Sequence, residues 1–126
     1  MHEGSLVERL LDQVQALASE HGDAAVRAID VDIGPLSGVE PELVESAFAR
    51  IAPERDLATT VLRIRLVPMI IRCDRCAAVE TLDQVEFRCP RCGHDRVSVE
   101  QGDALILQSV TLEQTDADQS DTEESL

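Results

Sequence analysis

The stretch AVRAIDVDIGPLSGVEPELVESAFARI, residues 25–51, decides the fold because the spacing of its apolar residues changes from that of a strand to that of a helix. Residues 25–33 alternate between apolar and polar side chains, which predicts a strand with one buried face and with Asp30 and Asp32 on the other face. The turn-forming segment GPLSG follows. Residues 41–51 then repeat at helical spacing, with proline near the first helical position. This order of strand, turn and helix indicates a mixed α+β domain.

A second helix is predicted on the N-terminal side of this stretch. Apolar residues recur at helical spacing from Leu6 to Ala18. Ser5 is expected to open the helix, because Glu8 lies at the spacing of a capping box. Position 2 would then precede the helix. Gly22 is expected to form the C-terminal cap.

The remaining segments complete a small two-layer α+β domain. Residues 59–67 alternate again and residues 104–112 form another strand-like run, whereas 52–58 is predicted to be a loop. Two helices would cover one face of a three-stranded sheet, and a cysteine-rich module would be inserted in the domain. The predicted domains are an α/β domain at 1–67 plus 101–112, a zinc-ribbon-like module at 68–100 and a disordered acidic tail at 113–126.

The composition excludes several functional classes. The chain of 126 residues has a formal net charge of −14, and all 11 basic residues are arginine. Such an acidic chain repels nucleic-acid phosphates, so no nucleic-acid partner is expected. No apolar run approaches the roughly 20 residues that span a bilayer, and no signal peptide is visible, so a cytoplasmic protein without a membrane partner is expected. The tail is predicted to be dispensable, since it lacks periodicity and apolar residues.

Two Cys-x-x-Cys pairs, CDRC at 73–76 and CPRC at 89–92, carry the clearest chemical signal. Each pair forms a tight turn that directs two sulfur atoms to one point, and two such turns supply four thiolates to a tetrahedral Zn(II). Two disulfides would need an oxidising compartment, and an iron–sulfur cluster is a weaker alternative. A catalytic zinc is disfavoured because four thiolates leave no position open for water. The predicted zinc ligands are Cys73, Cys76, Cys89 and Cys92.

Other polar residues of the module leave two interpretations open. His94 follows the second pair and is either a surface histidine or a substitute ligand. Five arginines could contact phosphate, which would suit a zinc-ribbon adaptor in nucleic-acid or transcription machinery. Six acidic residues between 68 and 100 balance them, so a solvated mixed-charge surface is the simpler interpretation.

The N-terminal sequence MHEGS raises the possibility of a second metal site. His2 and Glu3 are either two polar residues leading into a helix or parts of a chelate. The amine of Met1, together with the amide and imidazole nitrogens of His2, closes fused rings that suit Ni(II) or Cu(II), provided that Met1 is retained. Glu3 would complete the site through its amide or its carboxylate.

Three of these motifs together resemble the HypA family of hydrogenase nickel-incorporation proteins. They are the N-terminal MHE, the stretch DIGPLSGVEPELVESAF at 32–48 and the paired CDRC and CPRC motifs, so the resemblance runs from Met1 to about Leu112. It implies a nickel-binding α/β domain with an inserted zinc domain and no enzymatic activity. It assigns nickel to His2 with Glu3 beside it, and zinc to the four cysteines.

The resemblance also implies a role and partners. The role is that of a metallochaperone that passes Ni(II) to [NiFe]-hydrogenase, and sometimes to urease. The implied partners are a nickel-handling GTPase and the hydrogenase large subunit, with the chaperone itself a monomer or homodimer. Gly4 departs from the family pattern, which commonly has a bulky apolar residue there, and the acidic tail departs from it too. The zinc-ribbon adaptor is the alternative function, and a zinc hydrolase ranks last because no general base is visible.

Overall fold

The computed structural model describes residues 2–113, with only the backbone of His2, so the predicted ligand Met1 and residues 114–126 of the predicted tail lie outside the described residues. Neither helix in this range combines the length and hydropathy that crossing a membrane requires. The elements are helices α1 (His2–Glu20) and α2 (Pro41–Ile51), a 3-10 helix (Ala52–Arg55), and strands β1 (Ala25–Ile33), β2 (Val61–Leu66), β3 (Met69–Cys73), β4 (Val79–Leu82), β5 (Val97–Gln101) and β6 (Leu105–Glu113).

Helix α1 begins three residues earlier than the sequence predicts. It starts at His2, so the proposed start at Ser5 with a capping box to Glu8 is wrong, and position 2 does not precede the helix. Glu3 provides the negative charge in the first turn that favours the positive end of the helix dipole. Gly22 has φ +76°, as expected for a cap glycine. The helix buries its apolar stripe, formed by Val7, Leu10, Leu11, Val14 and Ala18.

Helix α2 has the predicted bounds, and a proline lies in its first turn. The predicted loop after it is wrong at its start, because Ala52–Arg55 forms a 3-10 helix. The ion pairs of Arg55 hold this 3-10 helix in place, since its guanidinium lies 2.6 Å from Glu8 and 2.7 Å from Asp12. The buried face of α2 consists of Val44, Ala47, Phe48 and Ile51.

The first sheet has three strands in the order β2-β1-β6. The hydroxyl of Thr60 donates to the carbonyl of Val26, and the guanidinium of Arg65 donates to Asp32. The residue numbers of the partners increase in the same direction on both strands, so β1 and β2 run parallel. Helix α2 lies in the connection between them. The predicted α+β architecture, with two helices and a small three-stranded sheet, is confirmed.

The polar face of β1 is less exposed than the alternation predicts. Asp32 is only 6% exposed, and both of its carboxylate oxygens accept hydrogen bonds from Arg65, at 3.0 and 2.8 Å. Arg63 binds Asp30 in the same way, and Ser109 donates to Asp30 at 3.0 Å. The hydrogen bond from Arg63 lowers the pKa of Asp30. This pair therefore stabilises the fold near neutral pH, and the contribution is lost as the pH falls through the lowered pKa.

The described chain forms two compact units. The first contains Glu40–Ile64 together with the chain up to Val31 and from Leu107 onward. The second contains Asp32–Val39 and Arg65–Ile106. It is wider than the predicted module at 68–100 because it includes the GPLSG turn, residues 34–38.

The second unit is built on an antiparallel sheet with the strand order β4-β3-β5. Met69 of β3 lies opposite Leu82 of β4, and these two residues form a buried apolar cluster with Ile71. Leu36 of the GPLSG turn packs against this cluster. The same strand ends at Cys73, so the apolar cluster and the first metal-ligand candidate share one element.

Two glycines allow the GPLSG turn to approach the segment before β6. The N–H of Gly34 donates to the carbonyl of Ala104 at 3.2 Å, and the N–H of Leu36 donates to the carbonyl of Gly102 at 2.7 Å. A Cβ atom on Gly34 would overlap the backbone of Gly102. The glycine is therefore required at position 34 by the close contact of two backbones.

Substitution of the two glycines of this turn is expected to have unequal effects. Gly34→Ala should lower the free energy of unfolding by about 3 kcal/mol, because the methyl group has no space. Gly38 has φ +73° but open space around it, so Gly38→Ala should cost only about 1 kcal/mol of backbone strain. Urea denaturation of zinc-loaded protein measures both. Equal losses would show that the contact with Gly102 is not what requires glycine.

Candidate metal centres

The two Cys-x-x-Cys pairs form turns with the same backbone geometry. The N–H of Ala77 donates to the carbonyl of Cys73 at 3.1 Å, and the N–H of Gly93 donates to the carbonyl of Cys89 at 2.9 Å. Both donors have left-handed backbone angles, with φ +63° at Ala77 and +80° at Gly93. Each turn therefore bends the chain back immediately after its second cysteine and leaves two sulfur atoms on the same side.

The four cysteines meet at one point, as their spacing predicts. All four Sγ atoms lie within 4.8 Å of one another. The distances across the turns are 3.6 Å from Cys73 to Cys92 and 3.7 Å from Cys76 to Cys89. A zinc ion with Zn–S bonds of about 2.3 Å requires sulfur atoms about 3.8 Å apart, whereas a disulfide requires about 2.05 Å. The cluster thus fits a structural zinc site with four thiolate ligands.

Backbone groups prepare these sulfurs for a cation. The N–H of Cys76 donates to the sulfur of Cys73, and this bond, together with those from the N–H of Arg75 and the neighbouring sulfurs, outweighs burial and lowers the pKa of Cys73 to about 6. The N–H of Cys92 lowers the pKa of Cys89. For Cys76, the N–H of Ala78 lowers the pKa, but burial and the neighbouring sulfurs raise it to about 11. The cluster therefore holds mixed protonation states by itself, and a divalent cation would compensate the charge of four thiolates.

His94 lies beside this cluster, but the cation-binding group consists of cysteines alone. Its Nδ1 atom is 3.2 Å from Nη2 of Arg75. Because a guanidinium only donates, Nδ1 accepts this hydrogen bond and the ring carries its proton on Nε2. The structure thus places His94 against an arginine rather than among the sulfurs.

Three arginines of the second unit, Arg72, Arg88 and Arg91, are engaged with acidic or backbone groups. Arg72 pairs with Glu100 at 3.1 Å, and Arg91 pairs with Glu80 at 2.8 Å. Arg88 donates to the carbonyl of Gly93 at 2.9 Å. These arginines would have to contact phosphate in a nucleic-acid adaptor. Their pairing instead matches the predicted mixed-charge surface.

Glu3 of the N-terminal motif lies in the first turn of α1. Met1 and the side chain of His2 are outside the described residues. Glu3 is 9% exposed, and its Oε2 atom accepts a hydrogen bond from the N–H of Glu40 at 3.2 Å. The first N–H groups of a helix have no acceptor within the helix, so the amides of His2 and Glu3 are not used by the helical ladder.

Glu40 is the residue at this site that sequence reasoning missed. It precedes α2, so the carboxylate of Glu3 lies at the positive end of that helix as well as in α1. The available signal was the predicted helix start at Pro41, since helix N-termini attract carboxylates. Nothing in the local sequence indicated which carboxylate would occupy that position.

Paired cysteine turns in a mixed α+β chain define a metal-binding protein with a zinc-ribbon-like site. The family model described as "Hydrogenase/urease nickel incorporation, metallochaperone, hypA" matches residues 1–112. Hydrogenase maturation factor HypA of Pelodictyon phaeoclathratiforme is 33% identical over 114 residues, which cover 90% of this chain and 97% of the relative. The factor of Shewanella baltica strain OS185 is 31% identical with the same coverage. The chain belongs to the HypA family, which comprises nickel metallochaperones of hydrogenase maturation rather than enzymes.

Two solved structures share the fold. The solution structure of the Ni metallochaperone HypA from Helicobacter pylori has a TM-score of 0.70 at 23% identity, covering 90% of this chain and 98% of that one. A second structure, described as the solution structure of HypA protein, has a TM-score of 0.72 at 24% identity, covering 91% and 98%. The fold of this chain is therefore shared with these two structures.

The two cysteine turns provide a matched test of backbone strain. Ala77→Gly should raise the free energy of unfolding of zinc-loaded protein by about 0.5–1 kcal/mol, because glycine adopts the left-handed conformation without a steric penalty. Gly93 has open space around its Cα, so Gly93→Ala should lower the free energy of unfolding only through backbone strain, by about 1 kcal/mol. Denaturant unfolding at constant zinc content measures both changes. A loss of stability in Ala77→Gly would contradict this account.

Proposed function

We propose that this chain binds Ni(II) through the amine of Met1, the amide and imidazole nitrogens of His2, and Glu3, and delivers it for maturation of [NiFe]-hydrogenase. The observation that carries the proposal is the start of α1 at His2 with the carboxylate of Glu3 already held by Glu40. Because the helix starts at His2, the backbone amides of His2 and Glu3 have no acceptor within the helix, and these are the nitrogens that the motif would offer to a metal.

The donor set favours nickel over zinc. Amine, amide and imidazole nitrogens in fused chelate rings form a planar arrangement that suits Ni(II) or Cu(II). Nickel binding would remove the proton from each amide that coordinates, and an amide outside the helical ladder gives up its proton without breaking a hydrogen bond. The four cysteines provide only sulfur and lie in a separate cluster, so each metal has its own chemical environment.

Glu3 has two ways to complete the nickel site. Its Oε2 atom is occupied by the N–H of Glu40, and its side chain is buried. This arrangement favours the backbone nitrogen of Glu3 as the fourth ligand and leaves the carboxylate to fix the position of the helix end. The carboxylate then acts through geometry and charge rather than through a bond to nickel.

The zinc site has a structural role in this proposal. Cys73, Cys76, Cys89 and Cys92 would hold Zn(II), which supplies no reactive chemistry because four thiolates fill its coordination shell. Its binding energy would form part of the folding energy of the second unit. The function is therefore transport of nickel, with no catalytic step on this chain.

The partners follow from the role. Nickel would be passed to a nickel-handling GTPase and then to the hydrogenase large subunit, with urease as a second acceptor. The matching family is described by both hydrogenase and urease, which supports this range of acceptors. The adaptor alternative receives no support from the paired arginines or from the net charge of −14.

Two histidines, His2 at the start of α1 and His21 just after its end, provide a matched test of the nickel site. His2→Ala should weaken nickel binding by at least about 100-fold, because it removes a ligand. His21→Ala should leave affinity unchanged, since Nδ1 of His21 lies 2.9 Å from the carbonyl of Leu17 at the far end of the helix. Isothermal titration of Ni(II) into zinc-loaded protein with a native N-terminus makes the measurement. Binding by His2→Ala equal to that of the original chain would contradict the proposed site.

The nickel site should also release its metal on acidification. Protons compete with Ni(II) for the amine, with an ordinary pKa near 8, and for the imidazole, near 6.5, so affinity should fall steeply below about pH 6.5. The thiolate-bound zinc should stay in place over the same range, since coordination to a metal keeps a cysteine sulfur deprotonated well below its ordinary pKa. Nickel titrations with parallel zinc analysis at several pH values test this. Simultaneous loss of both metals would contradict two chemically separate sites.

A further inference from the structure

The two cysteine turns of the second unit carry an arginine at the same position. Arg75 is the third residue of CDRC, and Arg91 is the third residue of CPRC. The backbone N–H of each arginine donates to the sulfur of the first cysteine in its own turn, at 3.3 Å in both cases. The two side chains therefore start from equivalent points, and neither of them is needed to form its own turn.

The side chain of Arg75 connects the first turn to the end of the second. Its Nη2 atom donates to Nδ1 of His94 at 3.2 Å. The carbonyl of His94 accepts a hydrogen bond from the N–H of Cys89 at 2.9 Å. An arginine of the first turn thus holds the residue that is bonded to the first cysteine of the second turn.

The side chain of Arg91 makes the reverse connection. Its Nε atom donates to Oε2 of Glu80 at 2.8 Å. Glu80 lies on β4 opposite Ile71 of β3, and β3 ends at Cys73. The side chain of Glu80 is only 26% exposed, so solvent screens this pair less than it screens a fully exposed one. An arginine of the second turn is thus anchored on the hairpin that contains the first.

The second cysteine of each turn is the one that solvent reaches. Cys73 and Cys89 are buried, whereas Cys76 and Cys92 are accessible, and each arginine directly precedes the accessible cysteine of its turn. A competing ligand in solution would therefore attack a bound zinc beside these two cysteines. Because the four sulfurs come from two turns, separation of the turns is the motion that would open the site.

We propose that Arg75 and Arg91 form a clamp, through His94 and Glu80, that keeps the two cysteine turns together and slows the loss of zinc. Neither arginine supplies a metal ligand; both are positioning residues for the turns that do. The inference rests on the zinc role that the proposed function gives to the four cysteines. It does not depend on nickel.

The first measurement tests the connection made by Arg75 and contains its own control. The N–H of Cys73 donates to the carbonyl of Ala78 at 2.9 Å, which matches the bond from Cys89 to His94. In the zinc-loaded chain, Arg75→Gln should make exchange of the Cys89 amide proton about threefold faster, because His94 is less well held. Exchange of the Cys73 amide should not change. Amide exchange followed by NMR gives both rates.

The second measurement is the rate at which zinc passes from the loaded chain to an excess of the coloured chelator pyridylazoresorcinol. Arg91→Gln should make this transfer about threefold faster, and Arg75→Gln should act in the same direction. Arg72→Gln is the matched control, because Arg72 pairs with Glu100 at 3.1 Å and connects β3 to β5 rather than turn to turn. It removes the same charge from the same unit, so its transfer rate should equal that of the original chain.

Exchange of the two charges distinguishes the clamp from a general loss of stability. Arg91→Glu places a second carboxylate beside Glu80 and should speed zinc transfer more than Arg91→Gln does. Combining Glu80→Arg with Arg91→Glu restores an ion pair and should return the rate toward that of the original chain. A loss of stability unrelated to this pair would not be reversed by the second substitution.

Distinct results separate the clamp from the zinc site itself. Transfer rates in Arg75→Gln and Arg91→Gln equal to the original rate, an equal acceleration in Arg72→Gln, or an acceleration that the charge exchange does not reverse overturns the clamp. Unchanged exchange of the Cys89 amide overturns the part assigned to Arg75. An original chain that holds no zinc overturns the zinc site of the proposed function, and the clamp with it. Faster transfer that Arg72→Gln lacks and the charge exchange reverses supports the inference.

Discussion

The close approach of the Gly34 and Gly102 backbones is the constraint on which much of this structure depends. Two main chains can come this near only where neither carries a Cβ atom. The contact fixes the turn that follows β1. The backbone bonds at Gly34 and Leu36 lie beside this contact. A contact between two glycines therefore sets the conformation of a turn in the second unit.

The two metal sites differ in the kind of information that specifies them. The zinc site is encoded locally, since two residues between paired cysteines and a repeated left-handed bend are enough to gather sulfur atoms. The proposed nickel site instead includes Glu3, whose carboxylate is bonded to Glu40, a residue distant in sequence. Sulfur and nitrogen donors also select different metals. The proposed nickel site would therefore differ from the cysteine cluster in its preferred metal.

Sequence reasoning succeeded where the signal was local and failed where the cause was distant. The bounds of α2 followed from Pro41 and the helical period, and the cysteine cluster followed from its spacing. The start of α1 did not, because the hydrogen bond between Glu3 and Glu40 joins residues 37 positions apart. The burial of Asp32 depends in the same way on Arg65, 33 positions away. An alternating pattern shows which side chains share a face, but it cannot show that an arginine on the next strand makes a buried aspartate tolerable.

The ion pairs on the first sheet have a consequence for the behaviour of the protein at high concentration. Strand β2 is an outer strand, and an outer strand presents unpaired backbone groups to other chains. Arg63 and Arg65 place two guanidinium groups along this strand and anchor them on Asp30 and Asp32. A second chain that approached this edge would have to accommodate fixed charges. The pair that lets Asp32 be buried, together with the pair at Asp30, thereby opposes edge-to-edge aggregation.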